Sequence, residues 1–142
     1  MKVTGRPKES TIENGILNYL NLQKGSFFWK NPSSGYFNGK NMVKHKSKYA
    51  IRGVADILGI YLGKFIAFEV KSEIEFKFYE KHGDRLKTCP FIYCRSKKEE
   101  NLWRQIHFIE NLNAKGGIGN IVCSIDQVKK ILQTVRTILN NT

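Results

Sequence analysis

Cysteine and proline are scarce in this sequence, with three of each among 142 residues. The odd number of thiols excludes a framework in which every cysteine is paired, and it favours reduced cysteines. Cys89 and Cys94 lie near His82 in the sequence. They lack the close pairs of zinc sites and an evident fourth ligand, which disfavours a zinc site.

Long apolar runs are also missing. The longest one is interrupted by Lys64 and is far shorter than a membrane span, and residues 1–10 lack the apolar segment of a signal peptide. We therefore expect a soluble cytoplasmic protein with no membrane partner. The length and a hydrophobic fraction of 41% predict one folded domain over residues 1–142.

Acidic residues are absent between Glu13 and Asp56, and the whole chain carries 24 Lys and Arg against 12 Asp and Glu, a net charge of +12. Such a charge favours a polyanionic partner. In this interval aromatic residues alternate with basic ones, which suits a nucleic-acid surface. The alternative is a solvated basic face over ordinary core aromatics. The basic residues there are Lys24, Lys30, Lys40, Lys44, Lys46, Lys48 and Arg52.

Capping signals and apolar periodicity predict three helices. Ser10 with Glu13 predicts a helix over 10–24 that Gly25 ends, Ser96 with Glu99 predicts a helix over 97–114, and Ser124 with Gln127 begins the last helix. Residues 73–95 show no clear period beyond a short helix around 74–82. Strands are predicted at FFWK, 55–61, 64–71 and IGNIVCS, so the order αβββαβα indicates an α/β fold.

The hairpin formed by the two central strands brings two carboxylates together. A loop at Leu62-Gly63 pairs Tyr61 with Lys64 and places Asp56 opposite Glu69. Lys71 shares their face because side chains alternate along a strand. Like charges placed opposite each other destabilise a sheet, so the pair calls for a cation. The alternative is a turn aspartate beside a solvated strand end.

Two carboxylates at one point suit a hard cation such as Mg²⁺, which keeps positions free for water and phosphate oxygens. A lysine beside that ion can hold a water or stabilise charge on phosphorus. With the basic surface, the trio predicts metal-assisted phosphodiester hydrolysis.

The motif of Asp56 followed by Glu69-Val70-Lys71 resembles the core of the PD-(D/E)XK nuclease superfamily, with Ala55 where a proline usually stands. GVADILGI, FEVK, QIHFI, the following GG and NIVCS together resemble the virus-type replication-repair nuclease (VRR-NUC) domain over most of the chain. The resemblance implies a single domain with a central mixed sheet flanked by helices. It also implies a Mg²⁺- or Mn²⁺-dependent DNA endonuclease.

The resemblance assigns roles residue by residue. It implies metal-binding carboxylates at Asp56 and Glu69, a catalytic lysine at Lys71 and a catalytic glutamine at Gln105. An acidic residue of the first helix also binds the metal in this family, at a position that Glu9 matches, with Glu13 as the fallback. By spacing, Gln105 faces the core side of its helix and needs a partner, unless it lies on a solvated flank.

The substrate is less constrained than the chemistry. Family members resemble Holliday-junction resolvases and often come from phages, which implies a homodimer acting on branched or junction DNA in replication, repair or recombination. We expect Lys40, Lys44, Lys46, Lys48 and Arg52 to hold the DNA backbone. Two alternatives stay open: a non-catalytic DNA-binding module, and a restriction-type endonuclease. A specificity element of the latter would have to lie within 73–95, a segment that resembles an insertion.

Overall fold

The computed structural model describes residues 5–32, 36–37, 40, 42–43 and 51–141. They form an α/β domain in which helices flank a mixed four-stranded sheet. The helices are α1 (Glu9–Asn21), α2 (Glu73–Thr88), α3 (Lys97–Ala114) and α4 (Ile125–Asn140). The strands are β1 (Ser26–Lys30), β2 (Tyr36–Phe37), β3 (Met42–Val43), β4 (Ile57–Tyr61), β5 (Lys64–Val70) and β6 (Ile118–Val122).

The main sheet has the strand order β1-β4-β5-β6, with β6 parallel to β5 and the other pairs antiparallel. The predicted hairpin register is confirmed, because Tyr61 pairs with Lys64 and Ile57 with Phe68. Both loop residues have positive φ, 51° at Leu62 and 82° at Gly63, as the tightest hairpin turns require. The hairpin lies in the middle of the sheet, as its apolar residues on both faces predict.

Two apolar clusters cover the two faces of the sheet. On one face, α1 and α4 pack against residues that alternate along the central strands, including Ile57, Ile66 and Phe68. On the other face, α2 and α3 pack against Ala67. Each buried leucine or isoleucine contributes about 1.5–3 kcal/mol to folding, so both layers hold the sheet firmly.

The first helix differs from its prediction at both ends. It begins at Glu9 after Lys8, which makes no side-chain cap, so the predicted Ser10–Glu13 capping box is wrong. Glu13 is instead buried, and its Oε1 lies 3.0 Å from Lys30 Nζ. The helix ends at Asn21 rather than at residue 24, and the Ser26 hydroxyl donates to the Leu20 carbonyl at 2.6 Å.

The helices that follow the sheet agree better with the sequence. The predicted bounds 97–114 of α3 are confirmed, and the Ser96 and Ser124 hydroxyls accept hydrogen bonds from the backbone amides of Glu99 and Gln127. The predicted order αβββαβα is incomplete, because it omits α2 and the short pair β2–β3.

Helix α2 occupies most of the segment that showed no clear period. It has 16 residues instead of the short helix predicted around 74–82, and the Ser72 hydroxyl caps it by accepting from the Glu75 amide. Phe76, Tyr79 and Leu86 pack against α3 and the sheet at spacings that return to one helical face, and Phe78 joins the same cluster from beside that face. Charged residues between them hid this stripe. None of the helices in the described ranges is long and apolar enough to cross a membrane.

Candidate metal and catalytic site

A cleft of about 320 Å³ opens at the end of the central hairpin, where β4 begins and β5 ends. Residues from α1, α2, α3 and β5 line it together with Asp56, which directly precedes β4, so the cleft lies where the sheet meets helices from both of its faces. The side chains that define its chemistry are Glu9, Asp56, Glu69, Lys71, Glu75 and Gln105.

Backbone hydrogen bonds from two neighbouring segments fix the position of Asp56. Its Oδ2 accepts a hydrogen bond from the Val70 amide at 2.9 Å, and its own carbonyl accepts one from the Asn31 amide at 2.7 Å. Burial raises the pKa of Asp56, although the Val70 amide partly opposes that rise. The sheet therefore presents this carboxylate in one defined orientation.

Glu69 is the most deeply buried carboxylate of the cleft, with only 4% of its surface exposed. Its Oε1 lies 3.8 Å from Lys71 Nζ, whereas its buried Oε2 accepts no hydrogen bond from any residue that the structure describes. Burial raises the pKa of Glu69 well above its usual value, and the charge of Asp56 raises it further. A protonated Glu69 can share a hydrogen bond with Asp56, which also raises its pKa, whereas an ionised Glu69 would leave Oε2 without a donor unless a cation is bound.

Lys71 is held in place by a glutamine from α3. Its Nζ donates a hydrogen bond to Gln105 Oε1 at 2.7 Å, and only 12% of its side chain is exposed. Glu75, one turn into α2, lies 3.9 Å from the same ammonium group. The partner expected for Gln105 is thus Lys71. Glu75 was missed from the sequence, although its position four residues after Lys71 was a usable signal.

Helix α1 adds two further carboxylates. Glu9, Glu13 and Asp56 each offer one oxygen, and these three oxygens lie within 4.8 Å of one another, close enough to hold a metal ion. Burial and the charges of Asp56 and Glu75 raise the pKa of Glu9 to about 7. Glu13, the fallback in the sequence, therefore joins Glu9 instead of replacing it. Glu69 stands beside Asp56 in the same cleft.

The donor set fits a hard divalent cation. It consists of carboxylate oxygens, which such ions prefer, and three of the groups have pKa values raised by burial and mutual repulsion. A cation bound by Glu9, Glu13 and Asp56 would relieve that repulsion, although Glu69 does not belong to the group that has metal-ligand spacing. Nothing in these oxygens distinguishes Mg²⁺ from Mn²⁺.

The residues predicted to hold DNA are described only in part. Lys40 and Arg52 are exposed, while Lys44, Lys46 and Lys48 lie outside the described residues. The loop of Arg52 is anchored to α3 through Gly53, which has a φ of +80°. A Cβ at Gly53 would lie 2.7 Å from the Arg104 carbonyl carbon. Arg52 is therefore carried on a loop packed against the residue next to Gln105.

Two other residues of α3 line the cleft and were not predicted, Lys98 and Asn101. Both lie on the helical face of Gln105, at seven and four residues before it, which is the signal that could have found them. Lys98 Nζ lies 4.3 Å above the centre of the Phe78 ring, so one positive charge overhangs the wall of the cleft.

The cysteines do not join this site. Cys89, Cys94 and Cys123 are free thiols, and His82 Nδ1 faces Arg85 at 3.4 Å. Within the described ranges, Glu9, Glu13 and Asp56 form the one group of three or more His, Cys, Asp or Glu side chains that meets the spacing of metal ligands.

No protein-family model matches the chain, and no curated protein is significantly similar to it in sequence.

Proposed function

We propose that this protein is a metal-dependent nuclease that hydrolyses phosphodiester bonds in DNA. The observation that carries the proposal is the buried Glu69 carboxylate, which lacks a donor for Oε2 while standing beside Asp56 and Lys71. A cation would complete this site, and a net charge of +12 would bring a polyanion to it. The resemblance of Asp56, Glu69 and Lys71 to the PD-(D/E)XK motif supports the same chemistry.

Glu9, Glu13 and Asp56, whose oxygens lie within 4.8 Å of one another, would hold Mg²⁺ or Mn²⁺. Glu69, the third ligand that the resemblance implies, lines the same cleft and would approach the ion from β5. When bound, such an ion polarises a phosphate and lowers the pKa of a bound water. It also offsets the negative charge of the cleft, which would otherwise repel the phosphates of the substrate.

The protein's own groups would position the reaction. Lys71 Nζ, fixed by its 2.7 Å hydrogen bond to Gln105, would orient the attacking water and stabilise charge that builds on the phosphate oxygens. The Val70 amide would keep Asp56 in its orientation throughout. Because these donors are already in place, little reorganisation would accompany the reaction.

DNA is the substrate that the charge and the resemblance favour, with Lys40, Lys44, Lys46, Lys48 and Arg52 holding its backbone. Phosphate contacts of this kind make affinity fall with salt without reading the sequence. The resemblance further favours branched or junction DNA cut by a homodimer, and a phage-encoded role in replication, repair or recombination.

The test is cleavage of labelled linear duplex, single strand, splayed arm and four-way junction with Mg²⁺, Mn²⁺ or EDTA. We expect metal-dependent cutting by the wild type and by Lys77→Ala, a control lysine exposed on α2. Asp56→Asn should not cut, and Lys71→Ala should cut about 10²–10³-fold more slowly. Tight binding with no cutting under either metal would contradict the proposal and would favour a non-catalytic module.

A further inference from the structure

An aromatic patch lies on the same face of the sheet as the cleft. Cross-strand pairing places Phe27 opposite Ile60, Ile60 opposite Phe65, and Trp29 opposite Leu58. Opposite residues point to the same side of a sheet, and this side carries Ala67 and Glu69 by alternation along β5. We define the aromatic patch as Phe27, Trp29, Ile60 and Phe65.

Helices α2 and α3 leave the patch uncovered. Phe27 is 68% exposed and Trp29 39% exposed, and β1 is an edge strand, whereas Phe28, which points to the other face, is buried. The rings of Phe27 and Trp29 lie side by side, with centroids 5.4 Å apart and planes tilted by 48°. Neighbouring aromatic rings that are exposed on a sheet form an apolar surface patch, and such a patch indicates a binding face.

Charge favours a polyanion over a second copy of the chain. The strands that carry the patch contain three charged residues, Lys30, Lys64 and Glu69, and Lys71 directly follows β5. By alternation Glu69 and Lys71 share the face of the patch, whereas Lys30 and Lys64 lie on the other face. Exposed Lys24 and Lys64 lie at the turn end, and exposed Arg52 precedes β4 at the cleft end. The net charge of +12 attracts a polyanion to this exposed face, and the homodimer that the resemblance implies would form through a different surface.

Position links the patch to the cleft. Trp29 pairs with Leu58, which follows Asp56 by two residues, about 7 Å along the strand, and neighbouring strands are about 5 Å apart. One extended strand of nucleic acid could therefore reach both places. Exposed aromatic rings beside basic residues are the arrangement that stacks unpaired bases, whereas paired bases inside a duplex hide their faces.

We infer that the aromatic patch binds unpaired nucleobases, so that the substrates of the nuclease contain a single-stranded segment next to the cut. The inference rests on the proposed function for its link to cutting, and on the patch itself for binding. It predicts preference for single strands and splayed arms over continuous duplex.

Binding is tested in EDTA, without cleavage, by the fluorescence anisotropy of a labelled single-stranded oligonucleotide and of a matched duplex. We expect single-strand binding to be about tenfold weaker for Trp29→Leu and about 100-fold weaker for the double variant Phe27→Ala/Trp29→Leu. The reason is that each base stacked on a ring contributes about a tenfold factor in affinity. Duplex affinity should change by less than about twofold on the same scale.

Three controls make the result specific. Trp29→Phe keeps a ring and should retain binding, whereas Trp29→Leu keeps only apolar bulk. Tyr93→Ala removes an aromatic side chain that is 65% exposed outside the patch and should change nothing. Bis(p-nitrophenyl) phosphate, which is too small to span both places, should be hydrolysed equally by the wild type and the double variant with Mn²⁺.

The outcomes separate the two proposals. Equal single-strand affinity of the wild type and the double variant would overturn the base-binding surface even if cleavage is observed. Sedimentation showing a dimeric wild type and a monomeric double variant would also overturn it, and would assign the patch to a second copy. Failure of the wild type to hydrolyse the small diester, with single-strand binding lost in the double variant, would contradict the nuclease and leave the surface supported.

Discussion

Glu69 and Glu99 are buried almost equally, at 4% and 5% exposure, yet their surroundings are opposite. Glu99 accepts hydrogen bonds from Arg85 Nη2 at 2.7 Å and from the Arg95 amide at 3.0 Å, and the Arg85 bond lowers its pKa. Glu69 Oε2 has no such donor among the described residues, and burial raises its pKa. The difference shows that hydrogen-bond donors, and not burial alone, account for the opposite pKa shifts of these two carboxylates.

The two carboxylates also act on different parts of the molecule. Glu99 ties the start of α3 to Arg85 of α2, so its charge stabilises the packing of two helices. Glu69 lies in a cleft where Asp56 and Glu9 add more negative charge. Buried carboxylates that repel one another lower the stability of the fold, and residues kept despite that cost are typical of binding and catalytic sites.

Removing the ammonium group of Lys71 from the cleft should have the largest effect on the rate of cleavage. Lys71→Ala is expected to lower the rate of cleavage about 10²–10³-fold, as for the loss of one preorganised donor to a transition state. Gln105→Ala should lower it about tenfold, because it only positions Lys71. The measurement is single-turnover cleavage with saturating metal. A rate for Lys71→Ala within about threefold of wild type would exclude this role on the same scale.

Neutralising the unsatisfied carboxylate should stabilise the metal-free protein. Glu69→Gln removes a buried charge and supplies an amide donor beside Asp56, so we expect the free energy of unfolding at pH 8 to rise by about 0.5–2 kcal/mol. Urea denaturation in EDTA measures it. Glu99→Gln is the matched comparison and should destabilise, because it leaves Arg85 without its partner. If Glu69→Gln were destabilised instead, the expected difference between Glu69 and Glu99 would be contradicted.

The same contrast predicts opposite responses to pH. The pKa of Glu9 rises from its usual 4.5 to about 7, so the folded metal-free protein binds the extra proton and loses stability as pH rises between those values. The lowered pKa of Glu99 stabilises the fold above pH 4.5, and that contribution is lost as pH falls through the folded pKa. Urea midpoints are measured between pH 3 and pH 8. Glu9→Gln should lose the fall in stability with rising pH, and Glu99→Gln should lose the fall in stability toward acid pH. Unchanged slopes would contradict the assignment.

The smallest effect is expected for an ion pair on the surface. Lys87 Nζ lies 3.3 Å from Glu110 Oε1, but their side chains are about half exposed. Lys87→Ala should change the free energy of unfolding by less than about 0.5 kcal/mol, because water screens exposed pairs. Thermal unfolding of the wild type and of Lys87→Ala at low and high salt tests it. A larger loss of unfolding free energy would show that the exposure of this ion pair does not predict its contribution to stability.

Part of this arrangement could be predicted from the sequence. The turn at Leu62-Gly63 fixed the register that brings Asp56 and Glu69 together, because a hairpin loop of that length allows few alternatives. The serines before α3 and α4 fixed their starts, because their hydroxyls accept from the first turn.

The rest depended on contacts between distant residues. Glu13 fitted a capping box, yet it pairs with Lys30 of β1, a contact between residues that are far apart in the sequence. The stripe on α2 became evident only through its packing on α3. Glu75, Lys98 and Asn101 lie on helices whose relative placement no local pattern encodes, so their meeting with Lys71 and Gln105 required the fold.

We propose that the carboxylates in and beside the cleft bind a divalent cation. The most direct test of this claim is calorimetric titration of Mn²⁺ into the metal-free wild type, Asp56→Asn and Asp126→Asn, the last an exposed aspartate at the start of α4. We predict saturable binding to the wild type and Asp126→Asn, with stabilisation of about 2.7 kcal/mol at a hundred times Kd, and none to Asp56→Asn. Equal binding by all three proteins would contradict the claim.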